Sequence, residues 1–92
     1  MEIERDNKKI RIITYLESPT KATIFKHFKG QKYTIISIAK DSENLKVKVV
    51  YRGEYDDNPI WIRSYEDFFG EVDHSKYPEI KQKYRFEIKE KI

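Results

Sequence analysis

The sequence is read as all-β: a small SH3-like barrel of five to seven short strands with one short helical turn. Three observations carry this. Apolar side chains recur at every second position in successive short runs, the period of a half-buried strand. Polar turns punctuate the runs at Lys29-Gly30-Gln31, Asp41–Asn44 and Gly53–Pro59. Seven Tyr, five Phe and one Trp supply large side chains, which let a small interior bury much area. An open meander with a helical plug is the alternative architecture.

Taken in order, Ile10 to Leu16 places Ile10, Ile12, Thr14 and Leu16 on one face, which reads as a strand ended by Ser18-Pro19-Thr20. Thr23 to Phe28 is a shorter strand, followed by a turn in which Gly30 supplies positive φ. Gln31 to Ala39 is apolar on both faces, suggesting burial on two sides. Asp41–Asn44 forms a polar turn, with Asn44 the residue suited to a left-handed conformation. Leu45 to Tyr51 follows with Val47, Val49 and Tyr51 inward and Lys46 and Lys48 outward. An acidic loop, Gly53–Pro59, leads to a strand at Ile60–Arg63.

Ser64 then reads as the N-cap of a one- or two-turn helix, with Tyr65, Phe68 and Phe69 at helical spacing and Gly70 as its stop. Glu71–Asp73 forms a brief return strand, and His74–Lys83 is irregular around Pro78. Tyr84, Phe86 and Ile88 alternate with charged residues as a closing strand.

At 92 residues, with no repeat and no low-complexity tract, the chain is expected to form a single domain. It has no Cys, which excludes disulfides and thiolate metal sites and suits a reducing compartment. No apolar run is long enough for a membrane helix, and Met1–Asp6 lacks the apolar stretch of a secretion signal. A cytoplasmic protein is expected, with no membrane partner. Net charge is +3, but residues 1–40 sum to +5, residues 41–80 to −5 and residues 81–92 to +3. A dipolar surface follows only if the folded chain keeps those segments apart.

The order and spacing of several short runs resemble a known family. They are Phe25-Lys26-His27-Phe28-Lys29-Gly30, Tyr33, Ala39 with Ser42-Glu43, Val49-Val50-Tyr51, Trp61-Ile62-Arg63, Phe68, Val72 and Arg85-Phe86. Together they resemble the bacterial domain of unknown function 1653 family over about residues 23–86. The resemblance implies a compact, mainly β domain and brings no activity with it. Asp41 stands where the family often has His, and Ser64 where it usually has Pro. Asp73–Lys83 resembles a lengthened loop, and Met1–Lys21 falls outside the match.

Trp61 and Arg63 lie two apart on one strand and so share a face. An indole beside a guanidinium can hold a ligand ring and grip an anion bidentately. The competing reading is a core Trp with Arg63 stacked at its rim or paired with Asp56 or Asp57. His27 shares a strand face with Phe25 and Lys29. It is either a ligand-binding residue or a half-buried His with a satisfied hydrogen bond. Tyr51, with Tyr55 and Tyr65, is either groove or core; an aromatic groove beside an acidic loop would suit basic or proline-rich peptides. The candidate ligand residues are therefore Trp61, Arg63, Tyr51, His27 and Lys29.

His74 near Asp67, Glu71 and Asp73 is too scattered for a metal site, and no cofactor is expected. Lys21, Lys26, Lys29, Lys32, Lys40, Lys46 and Lys48 form either a nucleic-acid-binding face or an ordinary solvated one. Gly30, Gly53 and Gly70 make no phosphate loop, and no nucleophile motif exists. A small nucleotide hydrolase or transferase thus has no motif behind it. The expectation is a non-enzymatic binding or accessory module for a peptide or small ligand, with a nucleic-acid-binding barrel as alternative. Exposed strand edges allow a monomer or a weak homodimer.

Overall fold

The computed structural model of the chain describes residues 1–90. Seven strands and one helix follow in the order β1 (Glu2–Arg5), β2 (Lys8–Arg11), β3 (Ile24–His27), β4 (Lys32–Lys40), β5 (Val47–Gly53), β6 (Ile60–Ser64), α1 (Tyr65–Phe69) and β7 (Phe86–Glu90). The strands form an antiparallel pair β1-β2 and a five-stranded antiparallel sheet of order β6-β5-β4-β3-β7. The all-β expectation holds.

No ladder joins β6 to β7 among the described residues. The edges of the five-stranded sheet are instead linked through α1 and the segment after it. Glu71 bridges Tyr84, the Val72 N–H donates to the Lys83 carbonyl at 2.9 Å, and the Arg85 N–H donates to the Gly70 carbonyl at 3.0 Å. The arrangement is thus a meander with a helical plug rather than a barrel closed by strand pairing.

Local chemistry explains the plug. The Ser64 hydroxyl accepts from the Asp67 N–H at 3.1 Å and starts the helix. One turn later Phe68 enters the core, stacked on Phe86 with ring centres 4.1 Å apart. Gly70 ends the helix in extended backbone, not in a left-handed one. Glycine is required there because a Cβ would lie 2.5 Å from the Glu66 carbonyl oxygen.

Three sequence expectations are corrected. The run from Ile10 to Leu16 is not one strand: β2 ends at Arg11, Ile12 drops into the core, and Leu16 is 70% exposed. The Glu17 carboxylate turns the chain there by accepting from the Thr14 N–H and from Arg11. The preceding residues, where no strand is expected, form β1, joined to β2 by Asp6 and Asn7 at φ 52° and 63°. That is the two-residue hairpin geometry that Asp and Asn tolerate. In the β4–β5 turn, positive φ falls on Leu45 (φ 59°). Asn44 instead uses its side-chain oxygen to accept from the Lys46 N–H at 2.9 Å.

The two apolar faces of β4 come from a bulge. Ile35 pairs with Tyr51 but Ser37 pairs with Val50, so Ile36 is the extra residue. Side-chain parity flips across it, and Ile35 and Ile38, three apart, both pack on the core. That core joins Ile3 and Ile12 from the N-terminal hairpin segment to Phe25, Ile35, Val49, Tyr51, Phe68 and Phe86.

Candidate functional site

The site begins where β3 ends. After His27 the chain reverses in a tight turn: the Gly30 N–H donates to the His27 carbonyl at 2.8 Å, with Gly30 at φ 109°. Only glycine adopts that φ without strain. The turn points the Lys29 N–H at His27 Nδ1, 3.1 Å away. Nδ1 is therefore an acceptor, which assigns the ring proton of the neutral imidazole to Nε2.

The His27 ring packs against Phe28, Phe86 and Tyr33, at centroid distances of 4.4, 4.9 and 6.4 Å. Burial, reinforced by the positive charges of Arg63, Lys29 and Arg85, lowers its pKa to about 4. The imidazole is neutral at physiological pH.

Arg63 reaches the same place from β6. Its Nε donates to the Tyr51 hydroxyl at 3.2 Å, and its guanidinium lies 5.5 Å from the centre of the Phe86 ring. Arg85, just before β7, comes in from the third side; its Nη1 donates to the Asp67 carbonyl at 3.2 Å. These side chains line a cleft of about 310 Å³ with Lys29 and Lys76, walled by the rings of Phe28 and Tyr77.

The cleft contains one carboxylate, Asp73, which is engaged by its own turn through the N–H groups of Ser75 and Lys76. Those hydrogen bonds and the Ser75 hydroxyl hold it below its usual pKa. Among the described residues, Lys29, Arg63 and Lys76 make no ion pair, and Arg85 has only Asp67 at 3.8 Å. An array of cations with so little internal neutralisation favours an anion.

Of the five candidate residues, His27, Lys29 and Arg63 line the cleft. Tyr51 is buried behind it and positions Arg63. Trp61 is not a core residue. It is 47% exposed on the same strand face as Arg63, and its Nε1 donates to the Tyr55 hydroxyl at 3.0 Å. That hydroxyl in turn meets the Tyr33 hydroxyl at 3.4 Å. Burial, with the Tyr55 hydrogen bond second, raises the Tyr33 pKa. A row of hydrogen-bonded aromatic side chains thus runs from Trp61 through Tyr55 to Tyr33, whose ring abuts His27.

Arg63 does not pair with Asp56 or Asp57. Arg85, Lys76 and Tyr77 were not among the candidates. Arg85 carried the family resemblance, but only the pairing of β7 with β3 brings it to His27. Lys32 and Lys40 cap opposite ends of β4, about 26 Å apart at 3.3 Å per residue. His74 bonds the Gln82 carbonyl at 3.0 Å, and no metal-ligand cluster occurs among the described residues.

Residues that carry the family resemblance, scattered from His27 to Arg85, converge on this cleft and its wall. The family model described as protein of unknown function (DUF1653) matches residues 23–88, more than two thirds of the chain. The chain belongs to this family. The matched DUF1653 region contains every cleft residue and all of β3 to β6, while β1 and β2 precede it. No curated protein and no solved structure matches.

Proposed function

We propose that this DUF1653 domain is a non-enzymatic binding module whose ligand presents an anionic group to the cleft. The observation behind this reading is the set of Lys29, Arg63 and Lys76 without ion-pair partners, around a neutral His27 that carries its proton on Nε2. Arg63 Nη groups would grip the anion, with Tyr51 holding the guanidinium in place. His27 Nε2–H would donate to it without adding charge. Lys29 and Lys76 supply mobile cations at the rim. A cytoplasmic location fits a chain without Cys. Among the described residues no helix is long and apolar enough to cross a membrane.

Inorganic phosphate titrated into the protein at low salt tests this. His27, Lys29 and Arg63 resonances should shift together, and the His27 titration midpoint should rise, because a bound anion favours imidazolium. Lys29→Met should weaken binding roughly tenfold, since a charge-assisted hydrogen bond contributes about 1.5–3 kcal/mol. Phosphate and citrate both leaving these resonances unmoved would sink the proposal.

A further inference from the structure

We infer that the anion is the phosphate of a nucleoside phosphate whose base stacks on Trp61, either free or as the 5′ end of a single strand. This rests on the anion reading of the cleft and adds the second half of the ligand. Trp61 and Arg63 are two residues apart on β6, on the same face. Their separation along the strand is about 6.6 Å, comparable to that of phosphate and base across one ribose.

The indole is half exposed, and its Nε1–H donates to the Tyr55 hydroxyl at 3.0 Å. An exposed indole held by a hydrogen bond at its edge is a ready stacking surface, and bases stack on such rings largely irrespective of sequence. The row Trp61–Tyr55–Tyr33 leads from that ring to His27 and the cations. The hydroxyls of Tyr55 and Tyr33 lie between, where a ribose would sit.

Charge sets the direction. Asp56 and Asp57 are exposed on the loop that carries Tyr55, so the Trp61 end repels a phosphate. The Arg63 end attracts it. Glu54, on the same loop, is already engaged by Arg52 at 2.8 Å and by the Thr34 hydroxyl. A free aliphatic anion would use the cleft and leave the indole bare.

Trp61 is the single Trp, so its fluorescence reports directly. Adenosine 5′-monophosphate at low salt should quench it saturably. Adenosine should bind at least tenfold more weakly, and inorganic phosphate should compete without quenching. Lys29→Met, at an exposed position, should weaken the nucleotide about tenfold while the emission of the free protein stays unchanged.

A short oligonucleotide with and without its 5′-phosphate separates the two sources. Tighter binding of the phosphorylated strand than of the mononucleotide assigns a strand end; the reverse assigns a free nucleotide. Binding that ignores the terminal phosphate overturns the inference. Phosphate moving the His27 resonances while no nucleotide quenches Trp61 also overturns it, and leaves the anion reading standing. Neither effect occurring removes both.

Discussion

His27 shows how one side chain's surroundings set a measurable property. Its pKa falls from 6.5 to about 4, first through burial and then through three cationic neighbours. The unfolded chain therefore binds a proton below pH 6.5 that the folded chain refuses until near pH 4. The unfolded state binds more protons in that window, so stability rises with pH across it. Denaturation followed between pH 4 and 7 should show this slope, and His27→Gln should flatten it. An unchanged slope in the variant would place the linkage elsewhere.

Arg5 is the opposite case, a charge buried without full compensation. It is 7% exposed, donates from Nη1 to the Phe86 carbonyl at 2.8 Å, and lies 4.0 Å from the centre of the Tyr84 ring. Its Nε and Nη2 have no partner among the described residues. Burial lowers its pKa, against the opposing charges of Glu87, Tyr84 and Asp6. Desolvating a charge is expensive, and an apolar replacement of similar volume is often stabilising. Arg5→Met is expected to raise stability by about 1 kcal/mol. Arg5→Ala, which also leaves a void, should lower it by about 2 kcal/mol or more. Chemical denaturation of both variants tests this; Met less stable than the wild type would show that the charge itself is needed.

Among the elements, the β4–β5 hairpin holds its turn through side chains rather than through glycine. Asp41 accepts from the Glu43 N–H, Asn44 from the Lys46 N–H, and Leu45 takes the strained φ of 59°. A left-handed conformation costs an L-residue roughly 1–2 kcal/mol, and Leu45 recovers little by burial because it is 71% exposed. Leu45→Gly should therefore raise stability by about 1 kcal/mol, read as a higher denaturation midpoint at unchanged slope. No gain would show that the left-handed φ carries no net strain beyond the entropy that glycine adds to the unfolded chain.

Strand parity is the other lesson at this scale. Alternation located β3, β5 and β6 within a residue or two because their side chains keep one phase throughout. It could not place the β4 bulge, since an unpaired Ile36 resembles any other strand isoleucine until the partner strand is known. The hairpin of β1 and β2 was legible in principle: Asp6-Asn7 lies between Ile3, Arg5, Lys8 and Ile10, the pattern of a two-residue turn. Dense charge around those few apolar positions concealed it.

In the whole molecule, the N-terminal segment is part of the fold even though it lies outside the matched family region. Ile12 is fully buried, and the Met1 carbonyl accepts its N–H at 2.7 Å. Ile12→Ala should cost about 2–5 kcal/mol, a large share of the stability of so small a domain. A loss below 1 kcal/mol in thermal or chemical melts would show that the segment is merely appended. The charge blocks along the chain do not survive folding as blocks. The cleft takes Lys29 from the first basic stretch, Arg63 and Lys76 from the acidic middle, and Arg85 from the basic end.

The sequence by itself determined the all-β class, the runs that form β3 to β7, the Ser64 cap and the shared face of Trp61 and Arg63. All of these depend on neighbours within a few residues, and strand periodicity or capping chemistry makes them readable. Tertiary structure alone decided that β7 returns beside β3, that α1 stands between the sheet edges, and that Trp61 faces solvent while Tyr51 does not. Those outcomes follow from strand pairing between distant segments, where many pairings satisfy the same alternation and only the shared packing of Phe25, Phe68 and Phe86 selects one.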